Sequence, residues 1–197
     1  MSLPRVLLVG DSIRIGYAPL VRTALANRAE VFEIPENGGD SRNVRSKLAE
    51  WLELADGPTL TVVHLNCGLH DIKRPFGSSE CQQPLSAYRK NLKAILQELR
   101  ERTSAQPIWA STTPVLEARH RARKGFDRLL ADVQRYNAAA AEIMNSAGVP
   151  INDLYEVVLQ AGVERCIGED GVHMTPFGNR ILAEAVAACL QGWIAGQ

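Results

Sequence analysis

The chain has 197 residues, of which 46% are hydrophobic, and its 22 Lys and Arg residues balance its 22 Asp and Glu residues. A chain of this length can bury one substantial core, so we expect a single domain spanning residues 1–197. The balanced charge offers no basic surface for nucleic acid or for an anionic membrane. We therefore expect a small-molecule partner, and neither a nucleic-acid partner nor a membrane partner.

The N-terminal apolar run Val6–Val9 is too short for a signal peptide or a membrane span, which predicts a cytoplasmic location. The chain has four cysteines: Cys67, Cys81, Cys166 and Cys189. Their spacing contains no C-x-x-C pair, which argues against a zinc ribbon and against a disulfide scaffold. We expect free thiols and no bound metal or organic cofactor.

Short apolar runs separated by helical patterns predict strands that are buried on both faces. These runs are Val6–Val9, Val31–Ile34, Leu60–Leu65, Ile108–Ser111 and Val149–Ile151. A first helix is predicted over Pro19–Arg28, and apolar residues then recur at intervals of about 3.6 residues in several further segments. Those segments are Val44–Leu52, Tyr88–Leu99, Leu129–Ile143 and Leu182–Trp193. Gly148 is a typical left-handed helix stop, and Pro176 is a normal helix start.

Strands that alternate with helices favour right-handed crossovers and a parallel sheet. We predict an α/β fold, a three-layer α/β/α sandwich with a five-stranded parallel, flavodoxin-like sheet. Ligands of such sheets bind beyond the carboxyl ends of the strands. The residues that follow predicted strands should meet at this edge, flanked by loops over residues 73–84 and 117–125. They are Ser12, Gly39, Asn66 and the Thr112–Pro114 turn.

A serine and an acid–histidine pair stand near opposite ends of the chain. Gly10-Asp11-Ser12 directly follows the first predicted strand, and Asp170-Gly171-Val172-His173 precedes the last helix. Each motif alone is also typical of an ordinary helix cap or turn. Together they supply a nucleophile, a general base and an orienting carboxylate: Ser12, His173 and Asp170.

In their order along the chain, these motifs resemble those of the SGNH, or GDSL, hydrolase superfamily. The resemblance implies that Ser12 is the nucleophile and that its amide is one donor of an oxyanion hole. It also assigns His173 as the base and Asp170 as its orienting acid. Gly39-Asp40-Ser41 resembles the second motif of the family, which implies that the Gly39 amide is a further donor to the oxyanion hole.

The third motif of the family, Gly-x-Asn-Asp, reads Gly68-Leu69-His70-Asp71 in this chain. His70 therefore stands where the resemblance implies an asparagine that donates to the oxyanion. Two side chains remain candidates for this donor, His70 itself and Asn66 at the end of the third strand. Asn66 is slightly favoured, because its side-chain amide does not titrate and would donate at any pH.

The main functional hypothesis is serine-dependent hydrolysis of a small-molecule carboxylic ester, with a preference for short acyl or O-acetyl groups on carbohydrate. The carbohydrate preference follows from the similarity of residues 38–42 to the second motif of sugar acetylesterases. The first alternative is a non-catalytic protein of the same fold that binds an acylated or anionic ligand. The second is an α/β receiver or nucleotide-binding module that uses Asp11, which would leave Asp170 and His173 without a role.

Three further polar residues have simpler interpretations. Asp71 is predicted to hold loop geometry by accepting hydrogen bonds from backbone amides. His64 lies inside a predicted strand and is expected to be a core histidine. His120 lies in a basic stretch and is expected to be solvated.

Overall fold

The computed structural model describes residues 2–194, and a five-stranded parallel sheet crosses its centre in the order β2-β1-β3-β4-β5. The strands are β1 (Arg5–Val9), β2 (Glu30–Glu33), β3 (Val62–Leu65), β4 (Gln106–Ala110) and β5 (Ile151–Asn152). This order is the flavodoxin-like one. The predicted α/β fold with a five-stranded parallel sheet is therefore confirmed.

Helices cover both faces of the sheet. They are α1 (Ser12–Ala24), α2 (Ser41–Leu54), α3 (Leu85–Arg102), α4 (Glu117–Arg123), α5 (Leu130–Ser146), α6 (Leu154–Ala161), α7 (Val163–Cys166) and α8 (Pro176–Ile194), with a short 3-10 turn at Gly57–Thr59. Helices α1, α6 and α7 pack with α8, whereas α3 packs between α2 and α5. No helix among the described residues is sufficiently long and apolar to cross a bilayer.

The central strands are buried because helices lie on both sides of them. All of β3 and the last four residues of β1 are buried, and Val6–Val9 pair with Val62–Leu65 in parallel register. The edge strand β2 is mostly half-buried. Continuous apolar runs therefore mark the middle of the sheet, as expected for a doubly covered parallel sheet.

Helix α1 begins seven positions earlier than the sequence pattern predicts, at Ser12 rather than Pro19. The reason is Asp11, whose side chain caps the helix directly after the β1 turn. Pro19 is therefore inside the helix and not at its start. The expected loop over residues 117–125 is also partly helical, because α4 occupies Glu117–Arg123.

The predicted ends of two other helices are confirmed. Gly148 follows α5 with a left-handed φ of 68°, where glycine is favoured. Pro176 is the first residue of α8, where its missing N–H costs no helical hydrogen bond.

His64 is a core histidine, as predicted. Its ring has no exposed surface, and its Nε2 lies 3.1 Å from the Asn152 amide nitrogen, which donates to it. Burial disfavours the charged ring and lowers the pKa of His64 to about 4. The folded protein therefore holds this imidazole neutral.

The contribution of His64 to the free energy of unfolding is expected to fall as the pH drops from 6.5 toward 4, because unfolded His64 takes up a proton that the folded ring refuses. His64→Gln keeps an oxygen that can accept from Asn152 but cannot titrate. Over this interval the variant should lose up to about 3 kcal/mol less than the wild type. Urea unfolding across the interval measures both curves, and parallel curves would contradict the prediction.

Candidate active site

Ser12 is the first residue of α1 and follows β1 after a short turn. Gly10 keeps this turn tight, because a Cβ there would lie 2.7 Å from the Cβ of Arg14. The Asp11 Oδ1 accepts a hydrogen bond of 2.9 Å from the Ile13 amide. Ser12 is thus held at the carboxyl edge of the sheet. As the first helical residue, it has an amide N–H without an intrahelical acceptor.

His173 links Ser12 and Asp170 by hydrogen bonds. Its Nε2 lies 2.9 Å from Ser12 Oγ, and its Nδ1 lies 2.5 Å from Asp170 Oδ2. Because an ionised carboxylate only accepts, Nδ1 carries the proton and Nε2 is left to accept from the serine hydroxyl. The His173 side chain is 48% exposed, so this array opens to solvent. The structure therefore brings together the three residues that the sequence predicts as a triad.

Hydrogen bonds keep Asp170 ionised. Its Oδ1 accepts from the amides of Val172 and His173 at 3.1 and 2.9 Å. Burial favours the neutral acid, but the His173 ring and these two amides outweigh burial and lower the pKa of Asp170. Lys124 Nζ, 3.6 Å from Asp170 Oδ2, adds a neighbouring positive charge that the sequence analysis did not assign to the site.

The contact between Ser12 and His173 joins residues that are 161 positions apart. Helix α1 packs against α8, which begins shortly after His173. Gly16 permits the close approach, because a Cβ at this position would lie 2.4 Å from Asn179 Oδ1 on α8. The distance between the serine and the histidine therefore depends on how these two helices pack.

Helix α4 packs against the turn between Asp170 and His173. The Leu116 amide donates to Gly171 O at 2.9 Å. Gly171 has a left-handed φ of 76°, and a Cβ there would lie 2.5 Å from both Leu116 O and His120 N. Both the backbone conformation and the space available therefore require glycine at this turn.

The prediction that His120 is solvated is wrong, because its side chain is fully buried. Its Nε2 lies 3.2 Å from Arg128 Nη1, and its ring meets the Phe126 ring edge-on at 5.2 Å. Burial, then the charge of Arg128, lowers the pKa of His120 to about 4. The surrounding basic residues suggested a solvent-facing segment, but α4 turns this one ring toward the protein.

The loop that carries the second motif is pinned to the serine turn. The Gly38 amide donates to Gly10 O at 2.9 Å, and Gly39 then adopts a left-handed φ of 66°. The Gly39 amide donates to Asn37 Oδ1 at 2.9 Å. The Gly39 N–H therefore lies near the serine turn but already has an acceptor within its own loop.

Asp71 holds the second and third motifs together, as the sequence predicts. It accepts from the amide of Ser41 at 3.0 Å and from the Ser41 hydroxyl at 2.5 Å, and Asn91 Nδ2 donates to that hydroxyl oxygen at 3.0 Å. Burial, partly offset by the Ser41 hydrogen bonds, raises the pKa of Asp71 to about 7. This carboxyl is fully buried and remote from solvent, which fits a role in loop geometry.

The two candidates for the last oxyanion donor differ in their surroundings. Asn66 Nδ2 donates to Ala110 O at 2.7 Å, and Asn66 lines a small cavity of about 10 Å³ beside Leu69. The His70 ring is half-buried and has no hydrogen-bond partner among residues 2–194. Burial lowers the pKa of His70 to about 4, although the Asp11 charge opposes this, so the ring is neutral at physiological pH.

The four cysteines are free thiols. Cys67, Cys81 and Cys166 are buried thiols, and Cys189 is half-buried. Within the described part of the chain, no three His, Cys, Asp or Glu side chains come close enough together to hold a metal ion.

Residues 8–181, which include every motif described above, match the GDSL-like lipase/acylhydrolase family. The chain belongs to this family. No curated protein matches the chain in sequence. The fold is also shared with solved members of the family and with related esterases, although sequence identity to them is low.

The lipase/acylhydrolase from Enterococcus faecalis has a TM-score of 0.79 at 18% identity over 96% of each chain. A carbohydrate acetylesterase family member from Sinorhizobium meliloti has a TM-score of 0.77 at 17% identity, over 98% of this chain and 100% of that chain. The acetyl xylan esterase AlAXEase has a TM-score of 0.73 at 18% identity, over 94% of this chain and 99% of that chain. At these identities the likeness establishes the fold.

Gly171→Ala is expected to destabilise the protein more than Gly148→Ala, which is a matched control. Both glycines have a left-handed φ, but only a Cβ at Gly171 would collide with backbone, whereas the space at Gly148 is open. Gly148→Ala should cost about 1 kcal/mol of unfolding free energy and Gly171→Ala about 2 kcal/mol or more. Thermal or urea unfolding measures the difference. Equal losses would show that α4 does not pack tightly on the turn.

Proposed function

We propose that the protein is a serine esterase in which Ser12 attacks the carbonyl carbon of a carboxylic ester. The observation that carries the proposal is the 2.9 Å approach of His173 Nε2 to Ser12 Oγ, with Asp170 behind the ring at 2.5 Å. This arrangement lets a neutral imidazole take the serine proton during attack.

His173 acts first as a base and then as an acid. It accepts the Ser12 proton as the Oγ–carbon bond forms, and it gives that proton to the departing alcohol oxygen as the ester bond breaks. Asp170 stabilises the transient imidazolium, and its lowered pKa keeps it ionised for this task. A water molecule then attacks the acyl-enzyme, again through His173, and releases the acid.

Three N–H groups would hold the oxyanion: the amides of Ser12 and Gly39 and the ring of His70. A neutral His70 retains one ring N–H, and its ring has no competing partner in the described part of the chain. Asn66 already commits one of its two amide N–H groups to Ala110 O, whereas the His70 ring is committed to no acceptor in this part of the chain. This difference supports His70 over Asn66, the reverse of the slight preference drawn from sequence.

The Gly39 amide must exchange acceptors during the reaction. In the free protein it donates to Asn37 Oδ1, which is exposed. An oxyanion is a stronger acceptor than an uncharged amide oxygen, so it would displace or share this bond.

The proposed substrates carry short acyl groups, with O-acetyl groups on carbohydrate preferred. The exposure of His173 supports a hydrophilic alcohol portion, because the array lies open to solvent. The shared fold with a carbohydrate acetylesterase family member and an acetyl xylan esterase supports the same class. No cofactor is required for this chemistry.

The wild type is expected to gain a covalent adduct from a fluorophosphonate probe and to release acetate from acetylated xylo-oligosaccharides. Ser12→Ala and His173→Ala should each lower kcat by roughly three orders of magnitude, because the members of a triad act together. Intact-mass analysis and an acetate assay provide the measurements. A wild type that forms no adduct and turns over no ester would favour the binding-protein alternative, and faster turnover of long-chain esters would contradict the preference for acetyl groups.

His70→Ala should lower kcat by a factor that corresponds to about 2.7–4 kcal/mol, whereas Asn66→Ala should mainly reduce stability. His70→Asn restores the family residue and should keep activity within about tenfold of the wild type. Because the pKa of His70 is about 4, the wild type and His70→Asn should have superimposable normalised pH profiles above about pH 5. A larger loss of kcat in Asn66→Ala than in His70→Ala would assign the donor to Asn66 instead.

A further inference from the structure

Two loops beside the candidate active site are joined by a backbone pair. The Arg74 amide donates to Asp127 O at 3.1 Å, and the Asp127 amide donates to Arg74 O at 2.8 Å, which forms an isolated antiparallel bridge. In an antiparallel pair the residues that flank the bridge lie opposite each other. Lys73 and Arg128 are therefore neighbours across the two loops.

Both cations also lie against one aromatic ring. Lys73 Nζ is 5.4 Å and the Arg128 guanidinium carbon 5.1 Å from the centre of the Phe126 ring. Arg128 is only 6% exposed; its Nε donates to Leu69 O at 2.6 Å and its Nη1 to His120 Nε2 at 3.2 Å. The positive charges of Lys73 and Arg128 thus both lie beside the Phe126 ring, in a partly desolvated region.

The nearby carboxylates are paired with other arginines. Arg74 pairs with Asp132, and Asp127 with Arg121. Among residues 2–194, no carboxylate forms an ion pair with Lys73 or Arg128. A buried guanidinium without a directly paired carboxylate is unfavourable, and a second cation beside it adds repulsion.

The pKa values of Arg128 and Lys73 are both lowered in these surroundings. Burial lowers the pKa of Arg128 to about 10, although the charges of Asp11 and Asp170 oppose the shift. Burial, then the charge of Arg128, lowers the pKa of Lys73. A bound anion would remove the repulsion and stabilise the charged form of each side chain.

The cation pair lies beside the catalytic residues. Leu69, whose carbonyl oxygen accepts a hydrogen bond from Arg128, directly precedes His70. The charges of Asp11 and Asp170 also act on the pKa of Arg128. Lys73 and Phe126 are among the residues that line a cavity of about 630 Å³. The link to the catalytic residues runs through Arg128, which is bonded to Leu69 O and to His120.

We propose that Lys73 and Arg128 form an anion subsite, which binds a carboxylate or phosphate carried by the ester substrate. This inference rests on the proposed esterase function and narrows its substrates to acidic esters, such as hemiesters of dicarboxylic acids or acetylated acidic sugars. Arg128 offers the fork geometry that suits anionic oxygens, and Lys73 contributes a second donor. The balanced net charge of the chain does not oppose this, because the two charges act locally.

Arg128 also supports the loops through Leu69 O and His120, so replacing it would confuse binding with folding. Lys73 is the better test, because its side chain is half-buried and makes no side-chain hydrogen bond in the described residues. Lys90→Met is a matched control that removes an exposed lysine from α3.

The first experiment compares esters that differ only in charge. The pairs are mono-p-nitrophenyl glutarate against p-nitrophenyl pentanoate, and p-acetoxybenzoate against its methyl ester. In at least one pair we expect the wild type to favour the acid by about tenfold in kcat/KM, and Lys73→Met to lose this preference while Lys90→Met keeps it. No preference in either pair, or a preference that survives Lys73→Met, would overturn the subsite. p-Acetoxyphenyl phosphate then distinguishes phosphate from carboxylate.

The second experiment measures binding without turnover. In Ser12→Ala, titration calorimetry with glutarate and with inorganic phosphate should detect binding of at least one anion, and adding Lys73→Met should weaken it about tenfold. If Ser12→Ala binds an anion in a manner that depends on Lys73 while the wild type hydrolyses no ester, the proposed function is removed and the subsite remains. If the wild type hydrolyses neutral esters but Ser12→Ala binds neither anion, the proposed function remains and the subsite is removed.

Discussion

Helix α1 approaches α8 so closely at Gly16 that a methyl group there would meet Asn179, and this approach brings Ser12 within 2.9 Å of His173. The two catalytic candidates stand at or just before the first turns of these helices. A shift of one helix along the other would separate the serine from the imidazole without changing either motif. Reactivity of this kind is sensitive to displacements of about 1 Å, so the packing of two helices sets the chemistry of the site.

Burial and hydrogen bonding around the candidate active site determine which side chains are charged. Hydrogen bonds from the His173 ring and two amides overcome burial and keep Asp170 ionised. Burial has the opposite consequence for His70 and His120, which stay neutral because each has a pKa of about 4. Arg128 keeps its charge although burial reduces its pKa to about 10. The protein thus places an ionised Asp170, neutral imidazoles and a guanidinium that has no carboxylate ion pair among residues 2–194 within one small region.

The segment from Leu116 to Arg128 contacts both the turn that carries Asp170 and His173 and the loop that carries the third motif. Its helix packs on Gly171 between the acid and the base, and its end places a guanidinium beside the third motif. His120 lies between these two contacts, buried and bonded to Arg128. Changes in this segment should therefore affect both the orientation of His173 and the environment of any anionic group.

Local patterns in the chain were enough to predict the strand and helix alternation, the triad candidates Ser12, Asp170 and His173, and the loop-holding role of Asp71, because burial patterns and turn motifs are local. They misplaced the start of α1 and the environment of His120, since a single capping side chain and the packing of α4 on Gly171 outweighed the surrounding composition. The folded arrangement was needed to distinguish the surroundings of Asn66 from those of His70 and to show Lys73 beside Arg128. Each of these depends on contacts between segments far apart in the chain, and such contacts arise from packing, which no local pattern encodes.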